Sequence, residues 1–245
     1  FALLPSEYDP ETNKQTTVTQ EINLVSSEPA FGKLDWIAGL FYLDTEIEIS
    51  ILERLDFGFD GVFDPFTIDD IYAYSGDVGF ITDSKPERDS TSLYGQGTWN
   101  HSDSLRTVFG LRYTRDEVYS AVTNFYGRSG TDILETSGNK ITGRLVIEND
   151  LNDNTMLYGS FTRGYKPGGS NLTYGRENVI APIVVLPTFT EEVVDAFEVG
   201  LKSDLADGRV RLNTAAFLYN YEGLQYQATD PEVFEGGVGN IPESD

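Results

Sequence analysis

The sequence predicts an all-β protein, and more narrowly an antiparallel up-and-down transmembrane β-barrel. Three observations support this prediction: helical periodicity is nearly absent, apolar and polar residues alternate along several long segments, and short connections alternate with long ones. Barrels of outer membranes combine short turns at one end with long loops at the other. A soluble sandwich with Greek-key crossings has no reason to place every long connection at one end.

The alternation is clearest in residues 41–51. One face of this segment carries the apolar side chains and the other carries the polar ones. The first set is Phe41, Leu43, Ile47, Ile49 and Ile51, and the second is Tyr42, Asp44, Glu46, Glu48 and Ser50. We expect the first face to meet an apolar medium and the second to meet water.

Eight strands are predicted, at residues 15–26, 34–55, 89–100, 104–122, 138–150, 155–166, 191–203 and 209–226. The short connections, which are rich in turn-forming residues, are 27–33, 101–103, 151–154 and 204–208. The long connections are 56–88, 123–137, 167–190 and 227–245. A tilted strand needs about 9–11 residues to cross a membrane, and several of these strands are longer. The short turns are therefore assigned to the periplasmic end and the long loops to the extracellular end.

Composition excludes several classes of function. The net charge is −23, from 40 acidic and 17 basic side chains, which argues against nucleic-acid binding. The absence of cysteine excludes a disulfide scaffold and any thiolate metal site. His101 is the single histidine and lies in a short turn, and no glycine-rich phosphate loop is present. The chain is therefore not expected to be an enzyme or to bind a cofactor.

Three strings carry a resemblance to a known family. They are FGLRYTRD at 109–116, LYGSFTRGYKPGG at 157–169 and AFEVGLKSDLADGRVRLNTAAFLYNYEGLQ at 196–225. In this order they resemble the barrel of TonB-dependent receptors, and the resemblance covers nearly all of residues 15–227. It implies a barrel of about 22 strands in the outer membrane of a Gram-negative bacterium. It also implies an N-terminal plug and uptake of a scarce ligand, with energy from the TonB complex.

Residues 1–245 are accordingly expected to be part of such a barrel domain, without the plug and the C-terminal strands. The expected partners are the TonB complex, the plug of the parent protein, outer-membrane lipid and a small molecule. A ferric siderophore is the first expectation for that molecule, and cobalamin or a glycan follows. Two alternatives stay open: a passive porin or small structural outer-membrane barrel, and a secreted all-β carbohydrate-binding protein.

Candidate ligand-binding residues lie in the long loops and at the end of one strand. Aromatic rings suit flat or carbohydrate-like ligands, and arginine suits anionic ligands through its paired donors. The candidates are Tyr72, Tyr74, Tyr126, Arg128, Arg163, Lys166, Tyr174 and Arg176. Arg163 and Lys166 are expected near the upper lumen, and the strand should end at Pro167, which cannot donate to a ladder. The acids of loop 56–88 match no EF-hand spacing, so no metal site is predicted.

Charged residues inside the strands indicate which face is hydrated. Arg112 should point into the lumen, since arginine facing lipid at mid-membrane costs about 2–4 kcal/mol. Glu198 and Lys202 alternate with apolar neighbours and should share that hydrated face. We expect these two residues to take part in ion pairs between strands.

Overall fold

A computed structural model describes residues 2–3, 7–8, 13–56, 79–124, 131–171, 178–180, 183–229 and 236–241 of the chain. Within these ranges all regular secondary structure is β-strand. The same ranges contain no helix that is long and apolar enough to cross a bilayer. The all-β prediction is confirmed.

The strands follow in chain order. They are β1 (Ala2–Leu3), β2 (Glu7–Tyr8), β3 (Lys14–Val25), β4 (Leu34–Asp56), β5 (Gly79–Asn100), β6 (Leu105–Asn124), β7 (Thr131–Asn152), β8 (Thr155–Lys166), β9 (Gly169–Ser170), β10 (Asn178–Ile180), β11 (Ile183–Val185), β12 (Thr188–Phe189), β13 (Glu192–Leu205), β14 (Val210–Glu222), β15 (Leu224–Thr229) and β16 (Gly236–Ile241).

The long strands form one antiparallel sheet in the order β3-β4-β5-β6-β7-β8-β13-β14, so each pairs with the next long strand along the chain. β1 and β2 continue the edge on which β3 pairs with β4. β9 pairs with β12, β10 with β11 and β15 with β16, each pair outside the main sheet. This meander is the up-and-down topology that the alternating short and long connections predict.

The predicted strands are all present, but some boundaries differ. β5 begins at Gly79 and not at residue 89, and β7 begins at Thr131 and not at residue 138. Neither extension has a regular alternation of apolar and polar residues, and pairing with β4 and β6 extends the ladder. The predicted strand 209–226 is broken at Gly223, whose φ is +64°. β15 therefore leaves the sheet and pairs with β16.

The sheet has an apolar face and a polar face. Leu40, Leu93, Tyr113 and Ile141 form one row of register partners across four strands, with exposed fractions of 52%, 59%, 46% and 63%. The adjacent row on the opposite face is Phe41, Ser92, Thr114 and Lys140. Exposed apolar rows of this extent are unusual in soluble monomers and typical of the lipid-facing band of a barrel.

The prediction that the apolar side of residues 41–51 meets an apolar medium is wrong. Phe41 lies opposite Ser92, and Leu43 lies opposite Ser90, so both belong to the polar face. The apolar face of β4 carries Leu40 instead. Alternation in one strand separates two faces, but only the register with neighbouring strands decides which face is which.

Beyond the apolar rows, β4 and β5 continue together toward the long loops. There Lys85 Nζ lies 3.0 Å from Glu48 Oε1, and both side chains are exposed. The hydrogen bond from the Lys85 ammonium lowers the pKa of the Glu48 carboxyl. Charged pairs between these strands are typical of a ladder that projects into water.

Candidate functional site at the loop end of the polar face

Two of the long connections fold together into one layer at the loop end of the sheet. The described parts of these connections, residues 167–171, 183–191, 223–229 and 236–241, contain β9, β12, β15 and β16, and the amide side chains of Asn171, Asn240 and Gln225 join them. We call these described parts the loop layer. Because side-chain amides both donate and accept, they can satisfy backbone groups that lie outside any sheet.

Asn171 joins three parts of the loop layer, and its exposed fraction is 5%. Its Nδ2 donates to the carbonyls of Leu186 at 2.7 Å and Val238 at 2.8 Å. Its Oδ1 accepts from the Val238 amide at 2.8 Å. Its backbone amide donates to Pro187 O at 2.8 Å. One buried side chain thus fixes two hairpins against each other.

Asn240 and Gln225 join the same segments near the end of β14. Asn240 Oδ1 accepts from the Thr190 amide at 2.8 Å, and its Nδ2 donates to Gly223 O at 2.7 Å. Gln225 Nε2 donates to Pro167 O and Thr190 O, each at 2.9 Å. The residues that begin and end the two connections are therefore hydrogen-bonded to one another beside β13 and β14.

The main sheet forks where the loop layer begins. β7 and β8 pair only up to Gly143 opposite Arg163, beyond which β7 pairs with β6 alone. β8 continues to Lys166 beside β13, and the strand ends before Pro167 as predicted. A wedge therefore opens between the loop ends of β7 and β8.

Polar contacts fasten the loop layer across this wedge. The Tyr165 hydroxyl donates to Asp116 Oδ2, and Asp116, which is 2% exposed, also accepts from Arg88 Nη2 at 2.7 Å. Ser120 Oγ and Ser170 Oγ are 2.6 Å apart. Buried charges of this kind are stable only when paired and hydrogen-bonded, which Arg88 and Tyr165 ensure for Asp116.

A second contact crosses the same wedge. Lys140 Nζ on β7 donates to Glu191 Oε1, which lies immediately before β13. Both side chains are about one-third exposed, at 30% and 33%. The loop layer is thus attached to β6 by the Ser120–Ser170 hydrogen bond and to β7 by the Lys140–Glu191 ion pair.

A cleft of about 480 Å³ remains between the loop layer and the sheet. Its lining includes Asp116, Lys140, Tyr165, Phe189, Glu191 and Glu222. Carboxylate, ammonium, hydroxyl and aromatic groups converge there, which is the mixture that orients a small polar ligand. We call this space the mouth cleft.

Two of the candidate ligand-binding residues, Arg163 and Lys166, lie within the described residues, on opposite faces of β8. Arg163 lies on the apolar face in the row of Asp195, and its Nε and Nη2 donate to the two Asp195 carboxylate oxygens at 2.6 and 2.5 Å. Lys166 lies three residues further, on the opposite face, in register with Glu192. Neither lines the mouth cleft, and their roles in ligand binding stay predictions. Tyr72, Tyr74, Tyr126, Arg128, Tyr174 and Arg176 lie outside the described residues.

The expected ion pairs of Glu198 and Lys202 are replaced by contacts with one tyrosine. Among the described residues, the Glu198 carboxylate accepts from the Tyr158 hydroxyl, and Lys202 Nζ lies 5.3 Å from the centroid of the same ring. A cation over an aromatic face is attracted by the ring quadrupole. Both residues are on the polar face, as predicted.

No local pattern marks Asn171, Asn240 or Gln225 in the sequence, because isolated amides in loops are common and their partners are distant along the chain. Asp116 is the last residue of FGLRYTRD at 109–116, but its partner Tyr165 is 49 residues away. Only the fork between β7 and β8 brings these two residues together.

The beta-barrel model of the TonB dependent receptor-like family matches residues 6–244. The chain belongs to the TonB-dependent receptor family. Members of this family are receptors and transporters of the Gram-negative outer membrane, so the predicted localisation is confirmed. A barrel of the outer membrane has apolar side chains outside and polar side chains inside, and the two faces of this sheet are divided in that way.

Solved structures of similar fold are receptors of the same family. The ferric yersiniabactin uptake receptor FyuA from Yersinia pestis has 19% identity and a TM-score of 0.66, with 87% of this chain and 29% of that chain covered. The ferric-catecholate import receptor Fiu from K12 E. coli has 17% identity and a TM-score of 0.57, with 92% and 33% covered. The siderophore receptor PiuA from Acinetobacter baumannii has 16% identity and a TM-score of 0.58, with 83% and 31% covered. The chain spans about a third or less of each.

Proposed function

We propose that this chain is part of the barrel wall of an outer-membrane receptor that takes up a ferric siderophore with energy from the TonB complex. The observation that carries the proposal is the loop layer, which narrows the loop end of the polar face and leaves the mouth cleft of about 480 Å³. A cleft of this size lined by mixed polar and aromatic groups suits a compact chelate.

Further support comes from the names of the similar structures, since FyuA, Fiu and PiuA are each described as receptors for siderophores or their iron complexes. We propose that the remaining length of such a receptor supplies a plug and further strands. Coupling to the TonB complex would belong to those parts, because a barrel wall alone has no element that senses energy.

The test is iron uptake by cells that lack other siderophore receptors and carry the full-length gene. Radioactive iron is supplied as hydroxamate, catecholate and mixed chelates, with and without a protonophore. We expect at least one chelate to be accumulated only while the proton-motive force is intact and TonB is present. Uptake that persists without the proton-motive force and without TonB would support a passive porin. If none of the chelates is taken up, the siderophore assignment is contradicted.

A further inference from the structure

The middle of the polar face carries two arginines that no carboxylate of the described residues neutralises. Arg112 on β6 lies opposite Thr142, and Arg144 on β7 lies opposite Gly110, so the two arginines occupy diagonal positions on neighbouring strands. Diagonal neighbours on one face are about 7–8 Å apart, within the reach of two long side chains. Two adjacent cations repel each other unless an anion lies between them.

Arg112 is held in one orientation by the wall. Its Nη2 donates to Ser92 Oγ at 2.8 Å, and its Nε donates to Thr114 Oγ1 at 3.2 Å. Its guanidinium carbon lies 5.2 Å from the ring centroid of Phe41 and 5.5 Å from that of Tyr94. Nη1 has no hydrogen bond to any residue the structure describes. A fixed guanidinium with free donors is already organised to bind an anion.

A notch in the wall lies beside the two arginines. A Cβ placed on Gly110 would lie 3.6 Å from Arg144 Cγ and 3.5 Å from Gln96 Cγ, so these two stems border the space that the glycine leaves open. Arg144 and Gln96 are exposed, and within the described ranges their polar ends make no hydrogen bond. The notch therefore has free donors around it.

Two other arginines on the polar face are neutralised. Arg88 pairs with Asp116, and Arg106 pairs with Glu148 and Asp150 at 2.5 and 2.9 Å. In a chain of net charge −23, carboxylates are abundant, yet none of the described ones pairs with Arg112 or Arg144. The wall thus presents an unneutralised pair of cations to the barrel interior.

We propose that Arg112 and Arg144 form a binding site for one oxyanion group, a carboxylate or phosphate, that is presented from inside the barrel. Two arginines can share the oxygens of such a group through charge-assisted hydrogen bonds. The group has two sources of the same chemistry: an acidic side chain of another segment of the full-length receptor, or an acidic group on a transported small molecule. This proposal rests on the chain being part of a barrel wall, and it does not depend on the transported molecule being a siderophore.

The test uses the purified full-length receptor in detergent, with citrate and inorganic phosphate as probes. The variants are Arg112→Gln/Arg144→Gln, the charge-conserving Arg112→Lys/Arg144→Lys, and Arg209→Gln as a control in an exposed turn. Binding is measured by calorimetry, and stability is measured by the midpoint of thermal unfolding.

If a small molecule supplies the anion, wild-type receptor binds a probe, and the double glutamine variant binds it about 10-fold to 100-fold more weakly. If the polypeptide supplies it, wild-type receptor ignores both probes, and the unfolding midpoint falls in the glutamine variant alone. The lysine variant retains most of the wild-type behaviour in either case. A double glutamine variant that equals wild type in binding and in stability overturns the proposal.

A single Arg144→Gln variant guards against a folding defect, because Arg144 makes no hydrogen bond with the described residues of the wall. Folding is checked by the heat-dependent mobility of the barrel in gels. If the double variant fails to fold, the single variant is compared with Arg209→Gln by the same two measurements. Equality of those two variants would overturn the proposal.

Discussion

Tyr158 on β8 occupies the space that a side chain at position 200 on β13 would need. The two residues are register partners, and a Cβ on Gly200 would lie 2.5 Å from the Tyr158 Cζ and Oη atoms. The same arrangement recurs between Tyr94 and Gly39, where the distance from a Cβ to Tyr94 Cζ would be 2.5 Å. In both cases the glycine allows a tyrosine ring to lie across the neighbouring strand on the polar face.

Replacement of Gly200 by alanine should destabilise the barrel. The added methyl group would force the Tyr158 ring to move and would disturb its contacts with Glu198 and Lys202. Overpacking of this kind costs about 1–3 kcal/mol. The measurement is denaturant unfolding of the full-length receptor refolded into lipid vesicles.

Gly159 provides the matched control, because a Cβ there would meet nothing closer than Glu198 O at 4.0 Å. Gly159→Ala should therefore change stability by less than Gly200→Ala. In a Tyr158→Ala background the cost of Gly200→Ala should largely disappear, since the clashing ring is gone. An equal cost in both backgrounds would contradict the account of this pair.

Asn171→Ala should separate the two hairpins of the loop layer while the barrel stays folded. The change leaves the carbonyls of Leu186 and Val238 and the Val238 amide without their partner. Each unsatisfied buried group costs about 1–3 kcal/mol. Hydrogen exchange measured by mass spectrometry should accelerate about tenfold or more in peptides covering β15 and β16.

Asn213→Ala is the control for that variant, because Asn213 is exposed and makes no side-chain hydrogen bond among the described residues. It should leave exchange in β15 and β16 unchanged. Unchanged exchange in the Asn171→Ala receptor as well would show that the amide does not hold the hairpins together.

Tyr165→Phe should loosen the contact that joins the end of β8, and the loop layer that follows it, to β6. The variant removes the hydroxyl that reaches Asp116, while Arg88 still neutralises the buried carboxylate. We expect faster hydrogen exchange in residues 164–171 and faster release of any ligand bound in the mouth cleft. Tyr226→Phe is the control, since that tyrosine is 54% exposed and its hydroxyl has no hydrogen bond among the described residues. Identical exchange in both variants would refute this role.

The Glu48–Lys85 pair gives a prediction about pH. Because Lys85 lowers the pKa of Glu48 in the folded state, the pair stabilises the strand extension above the ordinary pKa of glutamate. That contribution is lost as the pH falls through the lowered pKa. Lys85→Gln should raise the pKa of Glu48, and Lys14→Gln should raise it less, because Lys14 has the smaller effect. Carboxyl-selective NMR of the labelled receptor measures the pKa of Glu48 in the wild type and in both variants. The same pKa in all three proteins would contradict the pairing.

Alternation and connection length were sufficient to predict the strands and their order. The turn between β13 and β14 shows why a short connection is predictable: Ala206, Asp207 and Gly208 have φ values of 53°, 55° and 79°, which its own local sequence accommodates. The extension of β5 to Gly79 was not predictable in this way, because residues 79–88 show no periodic alternation of apolar and polar side chains.

The loop layer and the mouth cleft could not be predicted from the sequence. Asn171 contacts Val238 across 67 residues, and Lys140 contacts Glu191 across 51. Neither contact follows from the pairing of consecutive strands. The face on which Arg163 lies could not be predicted either. The register between β8 and its neighbours decides that face, and a charged residue near the end of a strand does not indicate the register.

The central claim is that the apolar face of this sheet lies in lipid and the polar face lines an aqueous interior. Spin labels placed one at a time at positions 111, 112, 113 and 114 of the full-length receptor in vesicles test it most directly. We expect labels at 111 and 113 to be relaxed by oxygen, which partitions into lipid. We expect labels at 112 and 114 either to be relaxed by a water-soluble nickel chelate or to be buried from both reagents. Relaxation of the labels at 111 and 113 by the nickel chelate, as in a water-soluble sheet, would contradict it.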